Sequence, residues 1–142
     1  GDYSTWHACC GFGFRHILGS RDFSRSCATK RKIERMKEEV NPDVVLTHDT
    51  GCVPTHEQSQ VAAQAHKSNV GIPVMSDAQF AALAMGAHPY IVCQLHWHGV
   101  DNKPLLEKMG IDHEKAWAEF EAQADRIKSG EIDYISWEEA DA

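Results

Sequence analysis

Twice in this chain a short apolar run, too brief for a helix, leads straight into a helix start, and that repetition restricts the fold more than any other feature. Asp43 to Leu46 is apolar and β-branched, as buried parallel strands are, and it runs into the turn Asp49-Thr50-Gly51-Cys52. Pro54, Thr55 and Gln58 then read as a capping-box start for a helix that presents Val61, Ala62 and Ala65 and ends near Asn69. Gly71 to Met75 repeats the strand. Ser76 with Gln79 repeats the capping box, ahead of a helix that carries Phe80, Leu83 and Ala84 and closes at Gly86. Strands joined through helices pair in parallel, because the helix carries the chain back to the end of the sheet where the first strand began. The expected fold is therefore α/β: a small parallel sheet of short strands with helices packed on it.

The flanks add helices. Ile33, Met36 and Val40 recur at helical spacing in a charged segment that Asn41-Pro42 stops, which predicts an amphipathic helix over residues 26–40. Tyr90 to Leu95 is a candidate further strand. Beyond it, Asp101 and Pro104 open a short helix ending at Gly110, and Asp112 opens a longer one, with Trp117, Phe120, Ala124 and Ile127 on one face, ended by Gly130. Residues 1–100 are read as the body of the domain and residues 101–142 as a helical, acidic C-terminal extension of it. The last dozen residues, acidic with Tyr134 and Trp137, are either a docked tail or a peptide that binds a partner.

Composition narrows the class. With 142 residues, 42% hydrophobic and 25% charged, the chain suffices for one ordinary domain with its own core. Phe80 to Met85 and Pro89 to Cys93, the longest apolar stretches, fall far short of the roughly 20 residues that span a bilayer, and no signal-like segment opens the chain. A cytoplasmic protein with no membrane span is expected. The net charge is −7, and the segment from Glu107 onward, with eleven acidic residues against Lys108, Lys115, Arg126 and Lys128, carries as much by itself. Between residues 15 and 37 eight Lys and Arg accumulate, but Glu34 lies among them, Glu38 and Glu39 follow, and no aromatic platform accompanies them, so a solvated helix face is read in place of a nucleic-acid surface. Five cysteines, an odd number without paired spacing, suit thiols that serve metals or redox chemistry in a reducing compartment.

The cysteines carry the chemistry. Cys9-Cys10-Gly11-Phe12-Gly13 is answered by Cys52 at the end of the first strand–turn unit. Adjacent cysteines make a strained disulfide, because the bond wants Cα atoms about 4.4 to 6.8 Å apart and a peptide link sets about 3.8 Å. They serve better as ligands: successive side chains of an extended segment point different ways, so two thiolates can hold different atoms of one multinuclear metal centre, and the glycines let backbone approach it. Cys52 falls beyond the carboxyl end of a strand, where open α/β sheets gather ligands, and just ahead of a helix N-terminus whose dipole favours thiolate over thiol.

Cys9-Cys10-Gly11, Cys52 and the segment from Val70 to Gly86, with its Gly-Ile-Pro-Val strand, Gln-containing helix and Leu-Ala-x-Gly close, together resemble the cysteine-rich CCG domain of the B-type subunit of heterodisulfide reductase and its relatives. The resemblance covers residues 9 to about 90. That family's pattern is a Cys, a long gap, Cys-Cys-Gly, a second gap, and Cys-x-x-Cys after a strand. Here Asp49 stands where the first cysteine of Cys-x-x-Cys is expected, and no cysteine lies upstream of Cys9. The resemblance implies the C-terminal of two copies, with three of the five thiolates that hold a noncubane 4Fe–4S cluster: Cys9, Cys10 and Cys52. Asp49 joins them as a candidate cluster-binding residue, since a carboxylate can ligate iron; its other reading is ordinary Asp-Thr-Gly turn chemistry. The activity implied is reductive cleavage, or the reverse oxidation, of a disulfide or persulfide, with electrons arriving from a flavoprotein through a small iron–sulfur subunit. The altered Cys-x-x-Cys leans toward the sulfur-oxidiser type.

Other residues have simpler readings. Cys27, which could substitute as a thiolate ligand, and Cys93 read as small buried apolar residues, and His96-x-His98 reads as surface or interface unless a strand places both rings on one face as metal ligands. His16, His48 and His56 flank the proposed site and could donate hydrogen bonds to sulfur or shuttle protons. Three rivals to the cluster stay open: a structural Zn²⁺ module using the three thiolates with His48 or Asp49, a thiol oxidoreductase with Cys52 as nucleophile and Cys9 or Cys10 resolving, and a partner-binding domain that has lost its cluster.

Overall fold

The computed structural model describes residues 3–13, 18–49, 51–65 and 70–131. Helix α1, Arg21–Ser26, passes without a break through a π-helical stretch, Cys27–Ile33, into α2, Glu34–Glu39. Then follow β1 (Val45–Thr47), α3 (Cys52–Ala65), β2 (Val74–Ser76), α4 (Asp77–Ala84), a 3₁₀ turn at Leu95–Trp97, α5 (Lys103–Lys108) and α6 (His113–Lys128). The two strands pair in parallel, with Val45 opposite Val74, Leu46 opposite Met75 and Thr47 opposite Ser76. This is the α/β fold that the strand–helix alternation predicts, with α5 and α6 following the sheet unit.

A two-stranded sheet is marginal by itself. Here it divides two cores, because neighbouring residues of a strand point to opposite faces. Val74 joins Ile33, Met36, Ala63, Val70 and Ile72, which bring α2, α3 and the approach to β2 together. Met75 joins Leu83, Tyr90, Cys93, Leu95, Leu105, Leu106 and Ala116 on the other side. Gln60, fully buried on α3, secures the approach to β2 by bonding both backbone groups of Ile72, each at 2.8 Å.

The helix start at Ser76 is built as its sequence predicts: the Ser76 hydroxyl accepts the Gln79 backbone N–H at 3.1 Å, and the Gln79 side chain accepts the Ser76 N–H at 3.0 Å. The first helix start is not. Helix α3 begins one turn before Thr55, at Cys52, because Pro54 is tolerated in a first turn and the Asp49 turn hands the chain directly to the helix. Thr55 lies inside α3 and donates to the Gly51 carbonyl at 2.8 Å. The helix expected over residues 26–40 starts earlier, at Arg21, where a single Phe23 among Arg, Asp and Ser makes no apolar periodicity. Tyr90 to Leu95 is no strand: Val92 and Cys93 both donate to the His88 carbonyl, and Gln94 takes φ +55° before the 3₁₀ turn. The later helices match, α4 closing at Gly86 with φ +89° and α6 beginning after Asp112, whose carboxylate caps the Lys115 N–H at 3.0 Å. The end of α3 near Asn69, His16 and the acidic tail with Tyr134 and Trp137 lie outside the described residues. Among the described residues, no helix is long and apolar enough to cross a membrane.

Candidate functional site

The turn after β1 is closed by Asp49. Its carboxylate accepts the Gly51 N–H at 2.7 Å and its carbonyl accepts the Cys52 N–H at 3.0 Å, so Cys52 becomes the first residue of α3. The N-terminal loop is fixed separately. Gly11 has φ +86°, and a Cβ there would lie 2.6 Å from the Ser24 carbonyl and 3.1 Å from Cys27 Cβ, so only glycine permits this approach to α1. The Ser24 hydroxyl then donates to the Gly11 carbonyl at 2.6 Å. Phe12 lies over the other loop, where a Cβ on Gly51 would meet its ring at 2.2 Å. The two motif segments are thereby clamped together.

Their meeting point is a thiol pair: Cys10 Sγ and Cys52 Sγ are 3.2 Å apart, Cys10 buried and Cys52 half-buried. Cys9 is exposed on the same loop, and its sulfur accepts the Gly11 N–H at 3.3 Å. Burial pushes the Cys52 thiol up to about 12, with the Cys10 sulfur next in effect and Asp49 and Cys9 adding to it. The helix dipole expected to favour thiolate is therefore outweighed. Bringing thiols and a carboxylate together without a cation disfavours ionisation; a bound cation reverses that balance, since metal uptake expels the protons.

The remaining candidates separate from this pair. Asp49 uses a carboxylate oxygen for its turn. His48 is fully exposed and pairs through Nδ1 with Asp77 at 2.6 Å; the Asp77 hydrogen bond raises the imidazole, and His48 in return lowers Asp77. His56 is buried, its Nδ1 meets no hydrogen-bond partner among the described residues, and burial, followed by the Lys32 charge, lowers it to about 4. Cys27 packs beside Gly11, and Cys93 is buried against the Gln79 carbonyl, its thiol raised by burial. His96 and His98 sit in and after a 3₁₀ turn, with no strand to align them: His96 stacks on Phe120 at 4.5 Å between centroids, and His98 turns to Glu57 at 2.9 Å. Among the described residues, no three of His, Cys, Asp and Glu converge as a ready ligand set. The donor chemistry nonetheless suits a soft metal centre: three thiols on two clamped loops, two of them in contact.

One buried network carries no signal in the sequence. Glu57 on α3 accepts from the Gly99 N–H at 3.0 Å and pairs with His98 Nδ1, while Gln79 Nε2 lies 3.0 Å from His98 Nε2 and donates to the Cys93 carbonyl at 2.9 Å. Its partners are up to forty-two positions apart, so no local spacing reveals it.

No protein-family model and no solved structure matches the chain. Two curated relatives do. One, from Archaeoglobus profundus, is a protein like the B-type subunit of heterodisulfide reductase, 34% identical over 89 residues, which are 61% of this chain and 29% of that protein. The other is the B-type subunit of the ferredoxin:CoB-CoM heterodisulfide reductase of Methanosarcina acetivorans, 30% identical over 103 residues, 72% of this chain and 32% of that protein. The chain thus spans about a third of the length of the curated relatives it matches. Both relatives carry the name of the same subunit, and they support the family of heterodisulfide reductase B-type subunits for this chain.

Proposed function

We propose that the chain is an iron–sulfur cluster-binding domain of a heterodisulfide reductase-like subunit, of the CCG type and corresponding to the second of two copies, with residues 101–142 an extension of the same domain. The observation that carries this reading is the 3.2 Å approach of Cys10 and Cys52, two positions of the motif that the fold brings together across forty-two residues. Cys9, Cys10 and Cys52 would hold the noncubane 4Fe–4S cluster, with Cys10 buried, Cys52 half-buried and Cys9 exposed. When bound, the cluster supplies electrons singly to a disulfide or persulfide whose cleavage takes two. The chain's own part is to shape the site: Gly11 and Ser24 fix the Cys9-Cys10 loop against α1, Phe12 covers the Gly51 turn, and Asp49 keeps Cys52 at the head of α3. A flavoprotein and a small iron–sulfur subunit are the partners that this reading entails, and a thiol, disulfide or persulfide is the substrate.

A nucleophilic Cys52 is disfavoured by its raised thiol. The test is iron, acid-labile sulfide and zinc content after anaerobic reconstitution. About four irons with matching sulfide are expected, lost in Cys10→Ala and in Cys52→Ala. Stoichiometric zinc without sulfide would replace this reading with a structural module, and full iron in either variant would remove the ligand assignment.

A further inference from the structure

The same thiol pair has a second chemistry that needs no metal. We infer that Cys10 and Cys52 are a reversible disulfide pair, formed in the metal-free chain by exchange with a low-molecular-weight disulfide. Their sulfurs stand 3.2 Å apart, and a bond of about 2.05 Å lies within reach of small side-chain rotations. The backbone on both sides is already held: Cys10 by the Gly11 approach to Ser24, Cys52 by the Asp49 turn, and the two loops against each other by Phe12 on Gly51.

Cys9 and Cys93 do not compete. A Cys9–Cys10 bond is strained by the peptide link, Cys9 Sγ turns back to the Gly11 N–H, and Cys93 is occupied with the Gln79 carbonyl in the second core. Of the pair, Cys52 is half-buried and Cys10 buried. In the exchange one sulfur of the pair displaces one thiol from the external disulfide, and the other sulfur then displaces the second. The external S–S bond breaks and the Cys10–Cys52 bond forms. The protein's two thiols are oxidised, the external disulfide is reduced to two thiols, and the two protons leave on them. The bond itself does not depend on the cluster reading. Its consequence does rest on it: two of the three ligand sulfurs are withdrawn until a reductant returns them.

The experiment takes the full chain, stripped of metal with a chelator, through a series of oxidised-to-reduced glutathione ratios, followed by alkylation, trypsin digestion and mass spectrometry. Tryptic peptides 1–15 and 38–67 carry Cys9 with Cys10, and Cys52, respectively. The expected product is these two peptides joined through Cys10, reversed by dithiothreitol, retained in Cys9→Ser and abolished in Cys10→Ser and Cys52→Ser, with circular dichroism confirming that each variant is folded. A Cys9–Cys52 link, glutathione adducts without a protein disulfide, or no bond in the folded chain would overturn the inference. A chain that forms the Cys10–Cys52 bond yet takes up no iron after reduction would retire the cluster reading and leave the disulfide standing.

Discussion

His56 follows Cys52 by one helical turn and carries an imidazole into the interior, near the Lys32 charge. Burial, with the Lys32 charge second, holds it down to about 4, against about 6.5 for an exposed imidazole. Between those values the unfolded chain binds a proton that the folded chain refuses, so stability rises with pH across the window. It is fully present above pH 6.5 and drains away as pH falls toward 4. The linkage is worth on the order of 3 kcal/mol over that interval. Urea unfolding of the wild type at about pH 7 and about pH 4.5 should therefore show a loss that His56→Leu reduces by roughly 2 kcal/mol. Equal pH slopes in the two proteins would show that His56 is not held neutral in the fold.

Elements are tied together by the Glu57 network, which joins α3 to the head of α4 and to the loop after the 3₁₀ turn. The Glu57 and His98 side chains are only 8% and 7% exposed, so each bond is made away from water. Gln79 uses its oxygen on the Ser76 N–H, which leaves its amide hydrogens for Cys93 O and His98 Nε2; the imidazole must then accept at Nε2 and donate from Nδ1 to Glu57. Glu57→Ala would strand the His98 Nδ1–H and the Gly99 N–H and is expected to cost about 3 kcal/mol in chemical denaturation, whereas Glu57→Gln, which can still accept, should cost about 1 kcal/mol. A loss below about 1 kcal/mol in Glu57→Ala would mean the pair is solvated. This network marks the limit of what the sequence makes legible. The Ser76 helix start is written within four residues and matches the structure. The thiol pair is legible because a Cys-Cys-Gly run and a strand-end cysteine carry their chemistry in their identity. Thr55 misleads because Pro54 looks like a helix boundary while Asp49, farther upstream, makes the turn. Tyr90 to Leu95 misleads because its nearly continuous apolar run reads as a strand, whereas Val92 and Cys93 bond back to the His88 carbonyl and Gln94 takes φ +55°. Glu57 and His98 look like ordinary polar residues until the fold buries them together.

Across the whole molecule, the sheet separates two cores while the thiol site sits apart from both, on loops where the N-terminal segment meets the carboxyl end of β1. That placement lets the site vary its ligands without disturbing the packing that supports it. It also sharpens the question of Asp49, which stands where the resemblance expects a cysteine and in this fold closes the turn that presents Cys52. The two roles give opposite outcomes. If the carboxylate serves the turn, Asp49→Asn, whose amide oxygen accepts the same Gly51 N–H, should bind as much iron as the wild type after anaerobic reconstitution. Asp49→Cys adds a soft thiolate at the position the family uses, so it should slow iron loss to a chelator by about tenfold or more, even though it weakens the turn. Loss of iron in Asp49→Asn would instead make the carboxylate a ligand in its own right, and faster loss from Asp49→Cys would show that the turn matters more to the site than a fourth sulfur does.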